Sequence, residues 1–129
     1  MKKKYLIVIA DYYENISKGL LKSAIETIPR SNIVKIIRVP GVFEIPITIL
    51  KNIKKYDAFL ALGCVIKGET PHFDFISQAS TNAIMDLSID NKKPIGNGII
   101  TCLNMRQAKA RKKKGAEAAK AVISILSQK

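Results

Sequence analysis

The sequence is poor in the residues that build several kinds of site. Its 129 residues include no tryptophan, one histidine and two cysteines, and aromatic side chains make up only 6%. One histidine and two distant cysteines, Cys64 and Cys102, favour neither a metal site nor a disulfide framework. The apolar run Tyr5–Ala10 is too short for a signal peptide or a membrane span. We therefore expect a cytoplasmic protein with no metal and no membrane partner.

Positive charge is abundant, but arginine is scarce. The formal net charge is +12, and only four of the 22 basic residues are arginine. Surfaces that bind nucleic acid favour the planar fork of arginine over the point charge of lysine. The lysines form short clusters scattered along the chain, which is typical of solvated surfaces. We predict no nucleic-acid partner. A basic nucleic-acid-binding module remains the alternative, and it would bind with a steep salt dependence.

The rest of the composition is typical of one globular domain. Apolar residues make up 47% and charged residues 25% of the chain, which excludes intrinsic disorder for the whole. A chain of this length also falls within the usual size of a single domain, roughly 100–150 residues. We predict one domain over residues 1–129.

Apolar patterns of two kinds alternate along the chain. Short runs rich in isoleucine and valine predict strands at 5–10, 34–39, 58–65 and 94–101. The continuous run at 5–10 is typical of a strand buried on both faces, and the most uniformly apolar run, at 58–65, predicts a central strand, whereas the run at 34–39 carries Lys35 and Arg38. Helical spacing occupies most of the segments between and after them, with Pro29 as a stop, Asn104 as a cap and Gly115 as a separator of the last two helices. Residues 63–72 are predicted to form a loop. This alternation predicts a three-layer α/β fold with helices on both faces of a parallel sheet.

Chemically distinctive residues follow the predicted strands, at the edge where ligands bind in open parallel sheets. His72 can transfer protons near neutral pH. Gly68-Glu69-Thr70 precedes a helix N-terminus, which attracts anions, and Lys67, Arg111 and Lys114 can add positive charge if they converge. Tyr12 offers an aromatic face to a flat heterocycle. Taken singly, each of these residues also fits a packing, capping or solvated surface role.

Two long segments resemble one enzyme family. Val39-Pro-Gly-Val-Phe-Glu-Ile-Pro46 and Leu62-Gly-Cys-Val-Ile-Lys-Gly-Glu-Thr-Pro-His-Phe-Asp74 are similar to motifs of the 6,7-dimethyl-8-ribityllumazine synthases of riboflavin biosynthesis. The resemblance runs from about Tyr5 to Leu126, with shorter matches at 94–101 and 114–119. It implies a flavodoxin-like fold with a four-stranded parallel sheet in the order 2-1-3-4.

The resemblance also implies a reaction and an assembly. The family condenses 5-amino-6-(D-ribitylamino)uracil with 3,4-dihydroxy-2-butanone 4-phosphate, without a cofactor or metal. Its members are homo-oligomers, at least pentamers, with active sites between neighbouring subunits. The phosphate arginine and the histidine of one chain are expected to face the aromatic turn of the next. A related riboflavin synthase that uses the lumazine itself is the closest alternative function, and the intact loop motifs speak against it.

Roles for individual residues follow from the same resemblance. His72 matches the proton-transfer residue, Tyr12 the aromatic that stacks on the pyrimidine, and Arg111 the phosphate-binding arginine, with Lys114 nearby. The remaining matches are Val42, Phe43 and Glu44 for the ribityl chain, Cys64, Val65 and Ile66 for the uracil, Glu69 and Thr70 for the butanone phosphate, and Asn97 for the ring pocket.

Three features depart from the family's common pattern. Asp11 stands where many members have arginine, and Asn97 stands where other branches have phenylalanine. The connection from Arg111 to Gly115 is several residues shorter than usual. A shortened connection is expected to change the direction of the Arg111 and Lys114 side chains.

Overall fold

The computed structural model describes residues 2–128, so the predicted domain bounds at Met1 and Lys129 lie just outside the described residues. Strands and helices alternate along most of this length, and a short 3-10 turn, Val42–Glu44, precedes the second helix. The elements are β1 (Lys4–Ala10), α1 (Glu14–Thr27), β2 (Ile33–Val39), α2 (Ile45–Lys51), β3 (Ala58–Ile66), α3 (His72–Asn91), β4 (Ile95–Cys102), α4 (Met105–Ala110) and α5 (Lys114–Leu126).

The strands form one parallel sheet in the order β2-β1-β3-β4. Parallel neighbours require a crossover connection, and helices α1, α2 and α3 supply these crossovers. The predicted class, strand order and flavodoxin-like architecture are confirmed. Among residues 2–128, no helix combines the length and the apolar character that a membrane crossing needs.

Strand β1 shows why the apolar runs are continuous. Ile7 and Ile9 pack in the core that α1 and α5 cover, whereas Leu6 and Val8 pack in the core that α2 and α3 cover. All of them are fully buried. Each such side chain contributes about 1.5–3 kcal/mol by leaving water, so the central strands are the best-anchored part of the fold. The carboxyl ends of these central strands are therefore held in place by the core on both faces of the sheet.

Two boundaries differ from the sequence-based prediction. Strand β3 continues to Ile66 instead of giving way to a loop at Gly63, because residues 63–66 pair with residues 99–102 of β4. The loop before α3 is therefore only residues 67–71. Gly115 does not separate α4 from α5 either: it is the second residue of α5 and is buried against α1. The connection between these helices is residues 111–113.

Candidate active site

A cavity of about 600 Å³ opens at the carboxyl edge of the sheet, and we call it the aromatic cavity. The ends of β1 and β3, the turn after β2 and the start of α3 form its walls. Its lining combines most of the predicted site residues with several others: Tyr12, Tyr13, Gly41, Val42, Phe43, Glu44, Cys64, Val65, Ile66, His72 and Ile76.

Two aromatic rings in this cavity are unusually exposed. Tyr12 is 75% and Phe43 65% solvent-exposed, although both are large and mainly apolar. The Tyr12 ring meets Tyr13 edge to face, with the ring centroids 4.9 Å apart and an interplanar angle of 82°. An edge-to-face contact covers at most one face of Tyr12, and a free face of this exposed ring can stack on a planar heterocycle.

Glu44 lies on the wall formed by the 3-10 turn. Its backbone N–H donates to the Gly41 carbonyl at 3.2 Å, which closes the turn. A β-carbon on Gly41 would come within 3.2 Å of Glu44 Oε1, so the carboxylate lies directly over this glycine. An ionised carboxylate is an acceptor for several hydrogen bonds, which suits a ligand that carries hydroxyl groups.

The floor of the aromatic cavity holds neutral donors. Burial raises the pKa of the Cys64 thiol to about 12, and the adjacent Cys102 thiol adds to the shift. Cys64 therefore stays protonated at neutral pH and is not a thiolate nucleophile. Burial also raises the pKa of Tyr13, with smaller contributions from Tyr12 and Cys64, so that phenol also remains neutral.

His72 is the first residue of α3 and lines the mouth of the aromatic cavity. Its backbone N–H points to Thr70 Oγ1 at 3.4 Å, a weak contact at the start of the helix. The imidazole thus shares a cavity with Tyr12 and Phe43 of its own chain. The expectation that His72 joins Arg111 in facing the aromatic turn of the next chain is therefore wrong for His72.

A second cavity of about 470 Å³ lies between the edge strand β4 and the α4–α5 turn, and we call it the cation cavity. Its basic residues are Arg111, Lys113 and Lys114. The Arg111 guanidinium is exposed, with Nη1 3.5 Å from the Thr101 carbonyl oxygen and 3.9 Å from Cys102 Sγ. The Lys114 ammonium lies 3.7 Å from Glu117 Oε1. This excess of positive charge suits a small anion.

The predicted site residues are thus divided between two places. Asn97, Arg111 and Lys114 line the cation cavity, and within residues 2–128 no residue lines both cavities. Glu69 and Thr70 line neither; they are exposed on the loop before α3. One chain therefore carries two separate cavities of different chemistry.

Some lining residues were not predicted from the sequence. Ile76 lies one helical turn after His72, and Glu117 lies three residues after Lys114. Residues at these spacings share a helix face, so the sequence did contain a signal that each lies beside a predicted site residue. Lys113 gave no signal that separated it from its lysine neighbours. No group of three or more potential metal-ligating side chains occurs among the described residues.

The chain is similar to known proteins over nearly its whole length. A family model described as 6,7-dimethyl-8-ribityllumazine synthase matches residues 2–129. Three relatives carry the same name. The one from Bartonella henselae is 44% identical and aligns over 99% of this chain and 89% of its own. The one from Bartonella tribocorum is 42% identical over 100% and 93%. The first synthase of Rhodopseudomonas palustris is 41% identical over 95% and 83%. The chain belongs to the 6,7-dimethyl-8-ribityllumazine synthase family.

Proposed function

We propose that the aromatic cavity and the cation cavity are the two halves of one active site, which is completed between neighbouring copies of the chain. As a member of its family, the chain is an enzyme that condenses 5-amino-6-(D-ribitylamino)uracil with 3,4-dihydroxy-2-butanone 4-phosphate to give 6,7-dimethyl-8-ribityllumazine. The observation that carries the proposal is the separation, within one chain, of the exposed aromatic rings and Glu44 from the basic residues of the cation cavity.

The aromatic cavity suits the pyrimidine substrate. The exposed face of Tyr12 stacks on the heterocycle, and the end of β3, Cys64 to Ile66, borders the ring. Glu44 accepts hydrogen bonds from the ribityl hydroxyls, and Val42 and Phe43 flank that chain. The cavity volume is ample for one substrate of this size.

The cation cavity suits the butanone phosphate. Arg111 presents a planar fork that can hold two phosphate oxygens at once, which a lysine cannot do. Lys114 adds charge beside it. Asn97 on β4 borders the ring of the substrate bound to the neighbouring copy, while Glu69 and Thr70 approach the phosphate substrate from the loop before α3.

His72 is assigned the proton transfers. The 5-amino group adds to the ketone and loses water, which forms an imine. Loss of a proton from the adjacent carbon expels inorganic phosphate, and the ribitylamino nitrogen then closes the second ring with loss of another water. No step needs a cofactor or a metal. Orientation of the two substrates supplies most of the acceleration, and His72 adds acid–base assistance.

The surface beside the aromatic cavity supports an assembly of several copies. Phe43 and Ile47 are 65% and 55% exposed and border an apolar groove of about 430 Å³ between α2 and α3. Exposed apolar patches of this kind mark interaction sites. We assign a pentamer, with a mass in solution of about five times the 14.3 kDa chain. The free thiols Cys64 and Cys102 fit a reducing cytoplasm, to which we assign the enzyme.

Mixed assemblies test the division of the site. One chain carries Tyr12→Ala with His72→Ala, and the other carries Arg111→Gln. Each variant alone should be nearly inactive when lumazine formation and phosphate release are measured. Co-expressed with different affinity tags and purified through both, random mixtures should recover about a quarter of the wild-type rate, because that share of interfaces joins two intact halves.

Two outcomes contradict the proposal. If mixed assemblies show only the average of their parents' rates, the two halves do not meet between copies. If the wild-type protein forms no lumazine above the uncatalysed rate, the reaction itself is wrong. A His72→Ala variant is expected to lower kcat by roughly ten- to a hundredfold without raising either KM, which separates proton transfer from binding.

A further inference from the structure

The turn between α4 and α5 carries the cations of the cation cavity. It consists of residues 111–113 only, and the Lys114 N–H donates to the Arg111 carbonyl at 3.0 Å across it. Arg111 and Lys113 in the turn, and Lys114 directly after it, all line the cavity. A shift of this short turn therefore moves these positive charges together.

A side chain from α1 binds both sides of the turn. Ser23 Oγ lies 2.9 Å from the Lys112 carbonyl oxygen, to which it can donate, and 3.1 Å from the Leu20 carbonyl oxygen of its own helix. The same oxygen accepts from the Ala116 N–H at 3.1 Å. Ala116 lies in the first turn of α5, where backbone N–H groups have no partner within the helix. Ser23 is thus a cap for α5 that comes from another helix.

Two glycines bring the helices close enough for this contact. The stem of Lys112 lies over Gly19, where an added β-carbon would come within 3.0 Å of Lys112 Cβ. On the other side, a β-carbon on Gly115 would overlap the Leu20 carbonyl oxygen. The turn is therefore seated on α1 by shape as well as by the Ser23 hydrogen bonds.

Little else directs the Arg111 side chain. Its distances of 3.5 Å to the Thr101 carbonyl and 3.9 Å to Cys102 Sγ are too long for strong hydrogen bonds. Helix α4 has only six residues and is not stable by itself. The backbone of Arg111 is fixed instead by fully buried Ala108 on one side and by Lys112, bound to Ser23, on the other.

We infer that Ser23 is a positioning residue for phosphate recognition, acting through the α4–α5 turn on Arg111. The inference rests on the proposed role of Arg111. Without the Ser23 hydroxyl, the turn loses its bonds to α1 and the guanidinium fork no longer has a fixed direction. Phosphate binding should weaken, while the aromatic cavity, on other elements, should keep its affinity for the pyrimidine.

The test compares Ser23→Ala with Thr27→Val in the full-length assembled enzyme. Thr27 lies one turn further along α1, and its hydroxyl donates within the helix to the Ser23 carbonyl at 2.8 Å, so it is a matched control. Ser23→Ala should raise KM for butanone phosphate and the inhibition constant of inorganic phosphate about tenfold, with KM for the pyrimidine unchanged. Thr27→Val should leave all three constants at wild-type values.

Arg111→Gln separates failure of this inference from failure of the proposed function. In that background, Ser23→Ala should add nothing further to KM for the phosphate substrate, because its effect passes through Arg111. If Arg111→Gln weakens phosphate binding and Ser23→Ala does not, the positioning role is overturned and the proposed site stands. If Arg111→Gln leaves KM for the phosphate substrate unchanged, Arg111 does not bind the phosphate, and the positioning role of Ser23 is overturned as well.

A second variant guards against a general loss of folding. Gly19→Ala leaves the Ser23 hydroxyl in the chain, but its added methyl group presses on the Lys112 stem. It should raise KM for butanone phosphate about threefold and leave KM for the pyrimidine unchanged. An equal rise in both KM values, in this variant or in Ser23→Ala, contradicts a specific positioning role.

Discussion

The two cavities are anchored in the protein core to different degrees. The aromatic cavity is anchored at the ends of β1 and β3, the central strands, whose side chains are buried on both faces of the sheet. The cation cavity lies on the edge strand β4 and on a turn of three residues. Under the proposed function, ring recognition depends on groups held by the protein core, whereas phosphate recognition depends on a few hydrogen bonds between helices.

Arg111 should give the largest and most selective effect. Arg111→Gln is expected to raise KM for butanone phosphate about a hundredfold, because a charged hydrogen-bonding partner of the phosphate is lost. Arg111→Lys should recover only part of this affinity, since an ammonium lacks the bidentate fork. Steady-state kinetics with each substrate varied in turn provides the measurement. Arg106→Gln, which changes an exposed arginine on α4, is the control.

A rise in KM for the pyrimidine of similar size after Arg111→Gln would contradict the division of labour between the cavities. Equal activity of Arg111→Lys and the wild type would show that charge alone matters and that the fork is not used.

Tyr12 should give the matching effect on the other cavity. Tyr12→Ala removes the exposed stacking face, and KM for the pyrimidine should rise about tenfold while KM for butanone phosphate stays constant. Tyr12→Phe keeps the ring and should retain the wild-type KM. If Tyr12→Phe is as weak as Tyr12→Ala, the hydroxyl and not the ring face binds the substrate.

The aromatic half of the site was predictable from the sequence for a physical reason. Strands buried on both faces appear as continuous apolar runs, and the residues directly after them must meet at one edge of the sheet. Tyr12 and His72 follow such runs, Glu44 follows the partly exposed edge strand β2, and all three line one cavity. The strand predicted at 58–65 is confirmed to within one residue, whereas the loop predicted to begin at Gly63 is wrong, because residues 63–66 pair with β4.

The cation half could be predicted only as a list of residues. Sequence motifs indicated Arg111, Lys114 and Asn97, but not that they lie apart from His72 within one chain. The α4–α5 turn is held against α1 by the hydrogen bond between Ser23 and Lys112, which are 89 positions apart in the sequence. Local patterns contain no signal for such a contact, so the support for the shortened connection emerged only from the structure.

The buried thiol of the aromatic cavity predicts a pH dependence of stability. Burial raises the pKa of Cys64 from 9.0 to about 12 in the folded chain. Below pH 9 both states keep the proton; above it the unfolded state loses the proton first, so the free energy of unfolding falls as pH rises toward 12. Urea denaturation at pH 7.5, 9 and 10 should show this fall, and Cys64→Ala should flatten it.

The test compares how steeply the free energy of unfolding falls with pH, not its absolute value, because Cys64→Ala also leaves a small void that lowers stability at every pH. Burial also raises the pKa of Tyr5 and Tyr13, and this effect adds a downward trend to both proteins. The smaller part of the Tyr13 shift that comes from Cys64 is lost in Cys64→Ala and belongs to the same expected flattening. If the free energy of unfolding falls with pH equally steeply in the two proteins, the Cys64 thiol is more solvated in the folded chain than its burial indicates.

The smallest effect is expected from the ion pair beside the aromatic cavity. Asp11 accepts a hydrogen bond from Arg38 Nη1 at 3.0 Å, which links the residue before Tyr12 to β2. The Arg38 side chain is 55% exposed, so the pair stabilises the chain by only about 0–1 kcal/mol and is screened by salt. The Asp11 N–H also donates to the Val39 carbonyl at 3.1 Å and holds this segment without the pair. Arg38→Gln should therefore change KM for the pyrimidine less than about threefold, and less still at high salt. A tenfold rise in KM for the pyrimidine would mean that the aromatic cavity, like the cation cavity, depends on a single side-chain contact. The two cavities would then not differ in how they are anchored.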